Sequence, residues 1–243
     1  MKIISLVPSI TETLFDFGLT DTEIIGRTKF CIHPKGLVKN VETIGGTKNL
    51  NLEKIKKLNP DLIIANKEEN EKLQVEELMK DFKVWVTAIE TLEDNSRFLA
   101  ELGTLLNKEN TAKNFNQKIS DIIKGIKIQE SKKVCYLIWK NPYMTIGSDT
   151  FIHEILDKLG FENVFKNEKR YPEISMEEMK KADFIFLSSE PFPFQQKHID
   201  ELQKELLNSK IVLVDGEAFS WYGTHLAKCG EYFPEFLKSL DCF

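Results

Sequence analysis

Cysteine is scarce and scattered: Cys31, Cys135, Cys229 and Cys242 include no pair at the Cys-x-x-Cys spacing of a zinc ribbon or a redox site, so free thiols are expected. Long apolar runs are missing too, since no stretch approaches the ~18 consecutive apolar residues of a membrane span. The opening MKIISLVPSITETLF has a short apolar run, broken by Pro8 and followed by Glu12, which is not the apolar region of a secretory leader. As written, the sequence predicts a cytoplasmic chain. Charge of one sign is not in excess: 33 Lys and Arg against 38 Asp and Glu leave a net −5, with no footprint for nucleic acid or an anionic membrane surface. Neither a G-x-G-x-x-G nor a G-x-x-x-x-G-K-[ST] phosphate loop is present, and no G-x-S-x-G nucleophile elbow. The paired glycines of IGGTKN (44–49) are weak evidence on their own, and Pro191 and Pro193 disfavour the helix that a nucleophile at Ser188 or Ser189 would require. A small-molecule α/β enzyme therefore ranks last among the readings, with no catalytic residue and no permanently bound cofactor expected. His33, His153, His198 and His225 show no helical or hairpin ligand spacing, so no bare metal site is expected either.

What the chain does contain is alternation. Its 243 residues suffice for one large domain or two lobes. Apolar runs rich in β-branched residues stand at 2–7, 61–65 and 83–87, and again at 133–139, 183–188 and 210–215, with amphipathic segments between them. Short apolar strands separated by helical patterns predict an α/β protein with mostly parallel sheets. Between the two strand sets, Leu92, Leu99 and Leu106 recur seven apart, and Ala112, Phe115, Ile119, Ile122, Ile123 and Ile126 follow at three- and four-residue steps. One helix near 92–106 and a longer one near 109–127 are expected. The longer one has too many charged positions to be wholly buried and is placed to be a strut, giving an N-terminal lobe at 1–106, a linking helix at 107–130 and a C-terminal lobe at 131–243.

The halves resemble each other. NLEKIKKLNPDLIIANKEEN (51–70) aligns with SMEEMKKADFIFLSSEPF (175–192): an Asn or Ser N-cap, Glu in the first turn, two lysines near the helix end, then an aspartate leading into an apolar strand. Less closely, 12–26 matches 154–165, each a helix ending at glycine (Gly18, Gly160) before a short strand. Asp61 to Glu68 and Asp183 to Glu190 are both seven-residue steps. This pseudo-repeat puts one glutamate just beyond the C-terminal end of an equivalent strand in each lobe, the rim where parallel sheets meet ligands. A solvated loop residue is the plain alternative for each. The matched offset, and the prolines that stiffen LSSEPFPF around Glu190, suit instead a partner with two related basic sockets.

The start KIISLVPSITETLFDFG, the IGGTKNLNLEKIKKLNPDLIIA block, the GSDTFIHEILDKLGFENVF block and the strut between them, in that order over nearly the whole chain, resemble the class III, helical-backbone substrate-binding proteins of ABC importers, in the cobalamin and ferric-siderophore branch. The resemblance implies two lobes joined by one long helix, a ligand in the cleft between them, and a glutamate on each lobe engaging arginines of the permease dimer. By position these are Glu68, with Glu69 a near alternative, and Glu190. It also implies a monomer working in the periplasm or at a membrane, where the absent leader leaves open a trimmed chain, a lipoprotein without its anchor, or an intracellular relative that binds corrinoids or metal chelates without importing them.

Turns after the strands then supply the ligand contacts. The first lobe offers Pro8, Ser9, Phe30, His33, Thr47, Lys48, Asn66 and Lys67; the second offers Trp139, Tyr143, Arg170, Tyr171, Phe219, Trp221 and Tyr222. Aromatics at these ends suit a large, partly apolar ligand such as a corrin ring or an aryl iron chelate. The four residues of FSWY cannot all face inward on an extended segment, and Trp221 is the foremost candidate to reach the ligand. His33 stands in a turn set by Pro34, with ligand contact and plain packing both open; His153 reads as a helix-face residue, and His225 as a neighbour of the cleft. Lys48, Lys67 and Arg170 would attract carboxylates or catecholates of an iron chelate. Cobalamin would use them less, and the aromatic excess tilts the reading toward the corrinoid.

Overall fold

The computed structural model describes residues 1–126 and 131–240. Lys127 at the end of the second expected helix, residues 127–130 of the expected linking segment, and Cys242 lie outside the described residues. In chain order the elements are β1 (Ile3–Ser5), α1 (Pro8–Asp16), β2 (Ile24–Arg27), β3 (Gly45–Gly46), β4 (Asn49–Leu50), α2 (Leu52–Leu58), β5 (Leu62–Asn66), α3 (Lys72–Leu78), β6 (Val84–Thr87), α4 (Leu92–Leu106) and α5 (Glu109–Gly125). They continue with β7 (Lys132–Leu137), α6 (Phe151–Lys158), β8 (Phe161–Asn163), α7 (Met176–Met179), β9 (Phe184–Ser188), α8 (Gln196–Leu202), β10 (Lys210–Val214), α9 (Gly216–Ser220) and α10 (Tyr232–Leu240). The expected α/β class with mostly parallel sheets is what the chain adopts, and a strand overlaps each of the six apolar runs.

Two compact units emerge. Unit 1 comprises 1–89, 93–117 and 222–226; unit 2 comprises 90–92, 118–221 and 227–243. The division between the units passes within α5, at 117/118. Unit 1 holds a four-stranded parallel sheet in the order β2-β1-β5-β6, and unit 2 one in the order β8-β7-β9-β10. The same order with the same sense is the structural form of the sequence repeat.

The repeat has a physical basis at the strand starts. The Lys2 N–H donates to Asp61 Oδ2 (2.6 Å), and the Lys133 N–H donates to Asp183 Oδ2 (2.8 Å). Each aspartate therefore pins the strand beside its own, which explains why it precedes both apolar runs. The helix starts agree as well: Asn51 accepts from the Lys54 N–H, and Ser175 forms a capping box with Glu178. Gly18 and Gly160 follow the ends of α1 and α6 with φ of 80° and 86°.

Each unit has its own apolar core. In unit 1, Ile4, Leu6, Ile44, Ile55, Ile63 and Leu78 pack beneath the sheet. In unit 2, Cys135, Leu137, Met179, Ile185, Leu187 and Leu202 form one cluster. Cys31 and Cys135 are free thiols, Cys229 is buried like them, and burial pushes Cys135 up to about 12. No helix among the described residues is long and apolar enough to cross a membrane.

Candidate functional site

In unit 1 the C-terminal ends of β1, β5 and β6 and the β3–β4 hairpin are tied together by amides. Asn66, the last residue of β5, accepts from the Glu68 N–H (2.8 Å) and the Glu69 N–H (3.3 Å) and donates to Thr87 Oγ1 (3.1 Å). Asn70 donates to the carbonyls of Leu6 (3.1 Å) and Thr47 (3.2 Å) and accepts from the Asn66 N–H (2.9 Å). Asn66, expected at the ligand, is 3% exposed and spends its polar atoms holding the rim together. Lys48 Nζ donates to the Glu68 carbonyl (2.6 Å), so it fixes the docking candidate's backbone. Thr47 is buried, and Lys67 is exposed. Asn70, which joins the ends of β1 and the β3–β4 hairpin, has no sequence signal beyond its four-residue step from Asn66.

Pro8 and Ser9 are not turn residues. They open α1, where proline's fixed φ and missing N–H fit the first helical position, and Ser9 is buried with its carbonyl accepting from Thr13 Oγ1 (2.8 Å). Past β2, Lys29 and Phe30 are both exposed, with the ammonium 5.0 Å from the ring centroid. His33 is half-buried, its ring 6.4 Å from that of His225. His225 Nδ1 lies 2.7 Å from Oε2 of the buried Glu12, a partner that sequence reading missed because 213 residues separate the two. Thr224 beside it donates to Asp16 Oδ2 (2.5 Å). No group of three His, Cys, Asp or Glu side chains able to hold a metal occurs among the described residues.

Unit 2 has a different rim. Trp139, two residues past β7, is 41% exposed and edge-on to Phe192 at 5.7 Å. Tyr143 is half-buried against the unit 2 core. Arg170 adopts φ 57°, its guanidinium 6.0 Å from the Tyr171 ring centroid and NH1 3.9 Å from Glu90 Oε1. His153, on α6, meets the Asn163 amide at 3.3 Å, and burial first of all lowers its pKa.

The FSWY segment corrects the extended reading. Asp215 caps α9 by accepting from the Glu217 N–H, so residues 216–220 are helical. Phe219 consequently points into the unit, fully buried against Tyr136, Phe186, Phe233 and Phe236, and presents no surface to a ligand. Trp221 and Tyr222 are each 6% exposed.

Glu190 is not simply held out on its prolines. It is half-buried, and its Oε1 accepts from Ser220 Oγ (2.9 Å) and Trp221 Nε1 (2.8 Å). Oε2 takes no hydrogen bond from a described residue. Burial raises the Glu190 carboxyl above the ordinary range, the two donors oppose this, and Glu217 and Asp215 add to it. A carboxyl whose folded pKa is raised binds more protons in the native state, so its contribution weakens the fold as pH climbs from the ordinary value through the raised one. Glu190→Gln keeps the acceptor and removes that charge. In urea unfolding at a series of pH values from about 4 to 8, the mutant should gain on the parent as pH rises; a constant difference would show the carboxylate to be solvated like any surface acid.

Two parallel α/β units of one strand order, with the family match, define a class III substrate-binding protein. The chain belongs to the periplasmic binding protein family, which residues 3–212 match. A vitamin B12-binding protein of Vibrio vulnificus (strain CMCP6) is 27% identical over 195 residues, which are 77% of this chain and 71% of that protein. Among solved structures, the periplasmic vitamin B12 binding protein BtuF of Vibrio cholerae superposes with a TM-score of 0.82 at 20% identity, covering 100% of this chain and 98% of that one. The periplasmic heme-binding protein RhuT of Roseiflexus sp. RS-1 gives 0.83 at 17%, covering 98% of each. Both superpositions establish the fold. Family members bind a small ligand and work with an ABC permease, and delivery of a bound ligand to an ABC importer is the function of this chain.

Proposed function

We propose that the ligand is a flat metal complex, a corrinoid or a ferric chelate, contacted by aromatic side chains just past the ends of parallel strands. One observation carries this. Among the described phenylalanines and tryptophans only Phe30 (50%) and Trp139 (41%) are exposed, and both stand just beyond the C-terminal end of a parallel strand. A single exposed aromatic is ordinary; one on each unit's rim, with all the others at least half-covered, is a surface kept for a planar partner. The vitamin B12 and heme named for the relatives are of that shape. The site of action we propose is that of the family, the periplasm or the outer face of a membrane.

Glu68 and Glu190 are proposed as the permease-docking acids. Each follows its strand by two residues, in units of identical strand order. Ser220 and Trp221 occupy one oxygen of Glu190 and leave lone pairs on the other for an arginine.

Equilibrium binding of cyanocobalamin, dicyanocobinamide, hemin and a panel of ferric chelates, read by tryptophan quenching, tests the ligand class. Trp139→Ala should weaken the best binder about tenfold to thirtyfold, the usual loss of a buried aromatic anchor of ~1.5–2 kcal/mol. Saturable binding by none of these compounds, or an affinity indifferent to Trp139, would remove the proposal.

A further inference from the structure

The balanced charge of the whole chain hides a local imbalance in unit 1. From Ile24 to Val41 the sequence carries Arg27, Lys29, Lys35 and Lys39 and not one Asp or Glu. The connection from β2 to β3 also leaves large aliphatic side chains in solvent, Ile32 at 50% and Leu37 at 57% exposed. Phe30 in the same connection is assigned to the ligand above, but Ile32 and Leu37 have no role there. Lys35 and Lys39, both exposed, stand beside Leu37 in the sequence.

The connection is fastened at two points, and the aliphatics lie between them. Cys31 and Val38 are its buried pegs. Cys31 Sγ lies 3.1 Å from the Thr11 hydroxyl and 3.2 Å from that of Thr28, and the Cys31 N–H donates to the Thr28 carbonyl (3.1 Å). The Val38 N–H donates to the Pro34 carbonyl (3.2 Å), closing a turn through Gly36, whose φ is 93°. A Cβ on Gly36 would meet no atom within 4 Å, so the turn projects into open space. With the pegs holding residues 31 and 38 inward, Ile32 and Leu37 are displayed by the fold and not left over from it.

Scattered exposed aliphatics are ordinary; aliphatics set among lysines with no acid nearby in the sequence call for a partner. A protein partner fits poorly. Lysine is depleted in protein interfaces, and Trp, Tyr and Arg, the residues that dominate their energetics, are missing from 31–40. A lipid surface fits both features: ammonium groups on long stems reach phosphates while the stems and their aliphatic neighbours enter the headgroup and acyl boundary. We propose that the 31–40 connection rests on a bilayer surface containing anionic lipids, with Ile32 and Leu37 entering the headgroup layer and Lys35 and Lys39 meeting lipid phosphates. The rest of the chain is acidic on balance and is repelled by such a surface, which confines contact to this connection and keeps it reversible. Neither the ligand's identity nor the docking acids enter this proposal.

Flotation of the full chain with vesicles tests it, using phosphatidylcholine alone and phosphatidylcholine with about one-third phosphatidylglycerol. The anionic vesicles should carry about fivefold or more protein at low salt, and the excess should fall as salt is raised. Lys35→Gln with Lys39→Gln should cut partition to the anionic vesicles about tenfold or more, whereas Lys113→Gln with Lys118→Gln, the same charge change on exposed positions of α5, should leave it within about twofold. Ile32→Ser with Leu37→Ser should weaken partition about fivefold and abolish the part that survives high salt. Urea midpoints of all three double variants should match the parent, because every altered side chain is exposed. Equal partition to the two kinds of vesicle, partition to neither, or partition indifferent to the Lys35 and Ile32 pairs would overturn the proposal. So would a dimer in sedimentation velocity that Leu37→Ser dissolves, which would give the surface to a second copy of the chain.

Discussion

Glu68→Gln combined with Glu190→Gln is expected to abolish ligand delivery, with uptake through the importer in reconstituted vesicles falling at least about 100-fold, while ligand affinity stays within about twofold. Removing one partner of an interfacial ion pair costs ~2–5 kcal/mol, and two such losses in one docking surface exceed what transient association tolerates. Glutamine is the informative substitution at 190, because its amide oxygen still accepts from Ser220 and Trp221, whereas alanine would release both. Each single variant should retain part of the activity. If ligand affinity falls with each replacement, the two acids touch the ligand and the docking assignment is wrong.

The second large effect is on stability. Gly223 has φ 78°, and a Cβ there would lie 2.1 Å from Thr13 Oγ1. That hydroxyl cannot move aside cheaply: it donates to the Ser9 carbonyl (2.8 Å) and accepts from the Thr224 N–H (3.1 Å), and Thr13 is fully buried. Asn95 holds Gly223 from the other side, accepting from its N–H at 2.5 Å. Gly223→Ala should therefore cost about 3 kcal/mol, ~1–2 from the left-handed backbone and the rest from displaced hydrogen bonds. Urea unfolding would show it as a lower midpoint. A Thr13→Ala background should recover the steric part and leave the backbone part, so the two costs separate in a double-mutant cycle. Full tolerance of alanine would mean that 222–226 does not sit on α1 as described.

The fold was open to sequence reading because its signals are local. Asp61 and Asp183 announce their strands by satisfying an N–H at the start of the neighbouring strand, Asn51 and Ser175 cap the helices they precede, and the apolar runs are short and β-branched. The candidate site was less open, because its outcome depends on distant partners. FSWY reads as extended, yet the Asp215 cap makes 216–220 helical and sends Phe219 inward. Asn66 reads as a ligand contact, and in the fold its amide bonds Thr87 while its N–H bonds Asn70. Nothing in two adjacent residues shows that Lys29 lies across Phe30, which the fold alone sets.

The five residues Tyr222–Leu226 belong with unit 1 although the chain on either side of them builds unit 2. Neither half of this duplicated body is thus a contiguous, excisable cassette. A genetic cut after α5 would strip from Glu12, Thr13 and Asp16 the strand of backbone and imidazole that now meets them. Shuffling of halves between relatives would have to carry these five residues along with unit 1, although they lie far down the chain from the rest of it.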